Sequence, residues 1–305
     1  MDLNELRLLQ NYPLWMKVEK TKRRIQEWYE HYEGEVYVSF SGGKDSTVLL
    51  DIARSIYPNI EAVYVDTGLE YPEVKQFIKT FDNVTILRPK MSFKEVIKMY
   101  GYPVISKENS QYIYEIRYGS EKLKDRRING DSKGRFKLPK KYHHLIDAPF
   151  KISHKCCQIM KKNPVKNFEN KTNKKPILGT MAEESNLRQQ SYLKNGCNAF
   201  ESKRPVSTPL GFWTQNDILE YIYINNLKIA SVYGNIVRQE NLLGEYQYKT
   251  TGCDRTGCVY CLFGINQEQE PNRMQRLKET HPNLYDYCIN KLNLKEVLDY
   301  IGVKY

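Results

Sequence analysis

Apolar positions along the chain follow two alternating rhythms. Residues 35–40, 60–66 and 84–87 are short runs rich in branched and aromatic side chains, as strands are. Between them, residues 47–57 and 73–81 carry apolar positions at helical spacing. Alternation of this kind predicts βαβ units and a mostly parallel sheet with helices on both faces, an α/β class. It resumes at residues 176–180, PILGT. Ahead of it, residues 1–32 read as helix, with Leu6, Leu8, Leu9, Trp15, Val18, Ile25 and Trp28 forming a stripe that Pro13 interrupts. Behind it, Thr214 caps a helix with Asp217 in its first turn and Ile218, Leu219, Tyr221 and Ile222 as its apolar positions. Residues 107–155 break the rhythm. Nine Lys or Arg against three acids fall within residues 120–141, among Gly130, Gly134 and Pro139, and the segment reads as an insertion or a mobile loop near the site. The expected division is an N-terminal helical segment 1–32, an α/β domain 33–210 with a basic insertion near 107–155, and a mainly helical C-terminal region 211–305.

Charge adds a direction. Over 305 residues, 47 Lys and Arg face 36 Asp and Glu, a net charge of +11 that favours polyanions such as nucleic acid or nucleotides. A lysine-rich soluble surface gives the same balance, so charge alone decides nothing. No apolar run approaches the roughly 18 residues of a membrane span. The opening MDLNELRLLQ has acids where a signal peptide needs bases, so a cytoplasmic protein with no membrane contact is expected. The 7 cysteines are odd in number, which argues against a disulfide framework, and their clustering favours metal.

The first strand runs into Ser41-Gly42-Gly43-Lys44-Asp45-Ser46 and then directly into helix. Paired glycines let backbone N–H groups and a helix's positive end converge where a phosphate fits. The loop is not a Walker A sequence, which needs Gly where Val38 stands and Ser or Thr where Asp45 stands. Asp66-Thr67-Gly68 closes the second strand, and GTMAEESNLR, holding Gly179 and Arg188, closes a later one. Ligands of wound parallel sheets bind at the carboxyl ends of strands, where these three loops project. Further on, Cys253-x4-Cys258-x2-Cys261 supplies converging thiolates, and Cys156-Cys157 can complete a set of four. The spacing permits zinc or an iron–sulfur cluster. Cys197 and Cys288 stand alone and read as core residues.

These residues carry a resemblance. SGGKDS resembles the signature of the PP-loop ATP pyrophosphatases, a superfamily with a Rossmann-like, adenine nucleotide alpha-hydrolase-like fold. VDTGLEYPE, KCCQIMKKNP, the Glu-Ser-x-x-Arg run and PLGFWTQNDILEYI narrow it to the phosphoadenosine phosphosulfate reductase family, over residues of roughly 33–265. The resemblance implies that Ser41, Gly42, Gly43, Lys44, Asp45 and Ser46 cradle the phosphates of an adenine nucleotide, with Asp66, Thr67 and Gly68 beside the nucleoside. Gly179 and Arg188 join the site. Lys44 and Mg²⁺ would stabilise departing pyrophosphate, with Asp45 orienting the loop or holding the Mg²⁺. Likeness to the iron–sulfur branch implies a 4Fe-4S cluster on Cys156, Cys157, Cys258 and Cys261, with Cys253 the competitor and zinc the alternative metal.

The reductases of this family use a nucleophilic cysteine in a Glu-Cys-Gly-x-His setting, which these 305 residues lack. Three readings follow. The first is an ATP-dependent adenylating sulfurtransferase acting on tRNA or DNA with a sulfur-donor or partner protein. The second is a sulfonucleotide reductase of divergent mechanism. The third is a nucleotide-sensing module that works with a partner. Phe136, Tyr142, His143 and His144, interleaved with the bases of the insertion, are candidates for stacking on nucleobases.

Overall fold

The computed structural model describes residues 1–241, 244 and 246–305. The chain opens with α1 (Leu3–Gln10) and α2 (Leu14–His31), followed by β1 (Val36–Ser39), α3 (Lys44–Ile56), β2 (Ala62–Val65), α4 (Pro72–Ile78) and β3 (Val84–Leu87). Then come α5 (Phe93–Tyr100), β4 (Val104–Ile105), α6 (Lys107–Tyr118), α7 (Glu121–Asn129), α8 (Asn163–Thr172) and β5 (Lys175–Leu178). The remainder holds α9 (Asn186–Asn195), β6 (Asn198–Ala199), β7 (Val206–Ser207), α10 (Gln215–Ile224), β8 (Ile236–Glu240), β9 (Tyr246–Thr250) and β10 (Leu262–Phe263). It closes with α11 (Arg273–Thr280), α12 (Pro282–Asp286) and α13 (Leu294–Tyr300). Contacts divide it into two compact units. One holds residues 1–66, 70–87 and 165–256, and the other residues 67–69, 88–164 and 257–305.

The first unit is a mostly parallel sheet flanked by helices, in the order β3-β2-β1-β5-β7-β6. Val38 pairs with Ala62 on one side and Ile177 on the other, all parallel. In this sheet β6 runs against its neighbour β7. The core lies on Trp28, Val38, Leu50, Ile177 and Trp213, all sealed from solvent, as near-continuous apolar strands require. Pro13 ends one helix and starts the next, since it lacks an N–H but suits a first turn. Thr214 caps α10 in a reciprocal box with Asp217. The carboxylate of Asp217 also takes the buried ammonium of Lys17, at 2.6 Å. Among the described residues, no helix is long and apolar enough to cross a membrane.

The second unit corrects one expectation. Within residues 107–155, read as an insertion or a mobile loop, 107–118 and 121–129 are the helices α6 and α7, so this part is not a loop. Ser106 caps α6, and Tyr112, Ile113 and Ile116 give it a buried face. The guanidinium of Arg117 donates to the carbonyls of Leu145, Ile146, Ala148 and Phe150 at 2.7–2.9 Å, tying residues 140–150 to this helix. The density of Lys and Arg that suggested a loop is the solvent face of α7 and the turn after it. A second departure is the antiparallel hairpin β8–β9, in a region read as cysteines and helices.

Candidate nucleotide site and cysteine cluster

Between β1 and β5 the connections of the sheet leave in opposite directions, since β2 and β3 lie to one side and β7 to the other. That is the switch point of a wound sheet, where loops splay and leave a crevice. Here it is a cavity of about 280 Å³. The SGGKDS loop forms one wall. Gly42 adopts φ +70°, and a Cβ there would meet Ile78 and Val74 at 2.8 Å, so only glycine fits. Hydroxyls hold the turn closed. Ser46 Oγ accepts the Ser41 N–H at 3.1 Å and donates to the Gly43 carbonyl at 2.8 Å, and Thr47 Oγ1 donates to the same carbonyl at 3.1 Å. The positive end of the 13-residue α3 opens on this wall.

Gly179 in the loop after β5 forms the opposite wall. A Cβ on it would lie 3.1 Å from the Asp45 carbonyl oxygen and 3.3 Å from Ser46 Cα, so the two loops meet backbone to backbone. Lys44 is 1% exposed, with Nζ 3.1 Å from Asp45 Oδ1. Its N–H donates to Tyr233 Oη at 3.2 Å, and that hydroxyl lies 2.7 Å from Thr256 Oγ1. Burial pushes Tyr233 up to about 12, so it enters the site as a neutral hydroxyl.

A charged cluster completes the rim. Glu184, nearly buried, accepts the Met181 N–H at 2.9 Å and pairs with the guanidinium groups of both Arg188 and Arg255. Burial, and then the like charge of Arg255, pull Arg188 below its ordinary pKa. One carboxylate therefore holds two cations at a cavity that also contains a helix N-terminus, a disposition suited to a polyphosphate.

The structure brings Ser41, Gly43, Lys44, Asp45, Ser46, Gly179 and Arg188 to this cavity, with Gly42 at the turn behind it. Asp66 lies elsewhere in the first unit, 2.7 Å from Lys75 Nζ, while Thr67 and Gly68 belong to the second unit. Sequence reasoning gave no role to Glu184, although it begins the Glu-Ser-x-x-Arg run. It passed over Arg255 and Thr256, which lie inside the cysteine motif, and Tyr233, which has no motif around it.

Cys156, Cys157, Cys258 and Cys261 all fall in the second unit. β10 pairs in parallel with β4, Leu262 opposite Val104, and this fixes the turn in which the Cys261 N–H donates to the Cys258 carbonyl at 3.0 Å. The sulfurs of Cys156 and Cys157 lie 3.9 Å apart. Hydrogen bonding to Cys157, with burial and the nearby Cys261 and Cys258 thiols, holds Cys156 protonated far above its ordinary range. The same hydrogen bond, aided by Lys107, Lys161 and Lys162, brings Cys157 down to about 6. Burial pushes Cys261 up to about 11. Among the described residues, no three His, Cys, Asp or Glu side chains converge as a single ion requires. Cys156, Cys157, Cys258 and Cys261 polarise one another, and they are the thiols that could hold a sulfur-ligated group. Cys253 lies in the first unit, where burial, with Asp254 beside it, raises it to about 11. Cys197, in contact with Tyr192 Oη at 3.3 Å, and Cys288 are buried as expected.

The sequence profile of the phosphoadenosine phosphosulfate reductase domain matches residues 35–117 and 114–262. The chain belongs to that family. Among curated relatives of this family member, an uncharacterised protein of Methanocaldococcus jannaschii is 24% identical over 289 residues, 90% of this chain and 54% of its own length. A second uncharacterised protein of that organism is 23% identical over 88% of this chain and 43% of its length, so the chain spans about half of these two relatives. An adenosine 5′-phosphosulfate reductase of Bacillus anthracis is 23% identical over 253 residues, 80% of this chain and 86% of its own. A solved phosphoadenylyl-sulfate reductase of Candida auris, a phosphate complex, covers 76% of this chain and 90% of its own at 15% identity and TM-score 0.41.

Proposed function

We propose that this family member is an ATP-dependent adenylating enzyme that carries a 4Fe-4S cluster and transfers sulfur to nucleic acid. The observation that carries the reading is the crevice of about 280 Å³ at the sheet's switch point, with Lys44, Arg188 and Arg255 around the SGGKDS loop at the N-terminus of α3. An acceptor oxygen attacks the α-phosphorus of ATP, the α–β phosphoanhydride breaks, and pyrophosphate leaves with its charge answered by the loop, Lys44 and the arginines. Asp45 orients the loop or would hold Mg²⁺, which would supply further charge stabilisation to the leaving group. A reduced sulfur donor then displaces AMP from the activated carbon. Cys156, Cys157, Cys258 and Cys261 would hold the cluster, and an iron there would be open to sulfide only where one of the four thiolates did not ligate it.

A second reading rests on the relatives named adenosine 5′-phosphosulfate reductase, which match over four-fifths of this chain. It makes the substrate a sulfonucleotide and the product sulfite. Anaerobically purified protein separates the two. Pyrophosphate release from ATP, raised by tRNA or single-stranded DNA and accompanied by about four irons per chain, supports the first reading. Sulfite from adenylyl sulfate with a thiol donor, and no pyrophosphate from ATP, overturns it in favour of the second.

A further inference from the structure

The loop after α7 has a feature that neither its core nor its charge explains. Phe136 is 42% exposed and adopts φ +63°, the left-handed region that a bulky L-residue enters only at a cost. Its ring is flanked by two guanidinium groups, Arg126 with Cζ 4.7 Å from the ring centroid and Arg135 at 5.4 Å. The frame around it is built. Arg127, buried, donates to Glu115 at 2.5 Å and to the Phe136 carbonyl at 3.1 Å, and its guanidinium lies over Tyr112. Asp131 accepts the N–H groups of Lys133 and Arg135 at 3.0 and 2.8 Å and grips the Arg135 guanidinium. An aromatic ring is thus held out to solvent, in a strained conformation, by a scaffold of ion pairs.

The surrounding charge is one-sided. Of the nine basic residues between 120 and 141, Arg127 answers Glu115 and Arg135 answers Asp131. The other seven, Lys122, Lys124, Arg126, Lys133, Lys137, Lys140 and Lys141, are exposed and have no carboxylate within ion-pair distance among the described residues. Cations arrayed around an exposed aromatic ring match a backbone of phosphates with an unstacked base.

We infer that Phe136 and the basic turn around it form a binding surface for single-stranded nucleic acid, with a base stacking on the Phe136 ring and phosphates tracking Lys133 and Lys137. A duplex keeps its bases stacked on each other and cannot use the ring, so the surface selects unpaired strands. The inference rests on the nucleic-acid part of the proposed function and locates where that substrate is held.

The test uses the full chain, fluorescently labelled single-stranded RNA and DNA oligonucleotides, and the same strands annealed, with anisotropy read across a salt series. Phe136→Asn removes the ring but tolerates the left-handed backbone, so its melting temperature stays level or rises. It should weaken single-strand binding about 5- to 150-fold at every salt concentration and leave the salt slope unchanged. Lys133→Gln with Lys137→Gln should instead flatten the slope of log K against log salt by about 1.4. Wild-type binding that both folded variants retain in full would overturn the surface and leave the nucleic-acid reading standing. Equal wild-type affinity for single strand and duplex would overturn the stacking role. Absence of wild-type binding to every strand would overturn both.

Discussion

The buried pair Lys17–Asp217 is where removing one atom group should cost the fold most. Lys17 Nζ lies 2.6 Å from Asp217 Oδ2 and 2.6 Å from the Gln10 carbonyl, with the two side chains 2% and 10% exposed. Lys17→Met keeps the aliphatic stem and removes the ammonium. Asp217 then retains its bond from the Thr214 N–H at 2.6 Å, but its charge has lost the partner that compensated for desolvation. Stranding one charge of a buried pair costs about 3–5 kcal/mol. Asp217→Asn should cost a similar amount by stranding the ammonium, while its amide oxygen still accepts the capping N–H. The double variant strands nothing, so the cycle should return a coupling of about 2 kcal/mol or more. Urea unfolding followed by tryptophan fluorescence reads this directly, because all 3 tryptophans belong to the first unit and Trp28 and Trp213 are sealed in its core. Costs below about 1 kcal/mol in both single variants would show that water already screens the pair, and the reasoning would fail.

Other changes test the site. Gly179→Ala puts a Cβ 3.1 Å from the Asp45 carbonyl, which is backbone and cannot swing away; about 1–3 kcal/mol of stability and about tenfold in ATP affinity should be lost, by melting and calorimetry. Arg255→Gln should weaken ATP about tenfold or more and leave adenosine unaffected, since a charge-assisted bond contributes about 1.5–3 kcal/mol; equal losses for both ligands would remove Arg255 from the phosphate site. In cluster-free protein the Cys157 pKa is lowered, so its thiolate persists above about pH 6 and the stability it lends is lost as pH falls through that value. Alkylation of Cys157 should rise through about pH 6 with Cys156 silent, and a midpoint near an ordinary thiol's value of about 8.5 would refute the assignment. Cys258→Ser should abolish bound iron and Cys253→Ser should spare it, read by metal analysis.

Much of the first unit was legible because its order is local. A strand buried on both faces must be apolar throughout, so residues 36–39 and 62–65 announce themselves, while the edge strand 84–87 shows only in its branched side chains, and the Gly-Gly turn between Ser41 and Lys44 marks a close backbone approach. The same local logic misread residues 107–129. Lysine and arginine density looks alike in a loop and on the outer face of a helix, and what separates them is the buried face, here Tyr112, Ile113 and Ile116, with Ser106 as cap.

The second half of the crevice was illegible for a different reason. Glu184, Tyr233 and Arg255 are separated by up to about seventy residues, and no spacing rule joins them. They meet because β5 lies beside β1 and because Gly179 lets the two loops touch, facts of topology rather than pattern. Arg255 was further hidden by its neighbours, since a residue between Cys253 and Cys258 is read as part of a metal turn. Yet Cys253 and Arg255 sit in the first unit, and Cys258 and Cys261 in the second. A motif continuous in sequence is thus divided between two compact bodies, and its cysteines cannot be assumed to serve one centre. The contrast between Cys258→Ser and Cys253→Ser therefore tests the ligand set: equal iron loss in both variants would overturn the assignment of Cys156, Cys157, Cys258 and Cys261.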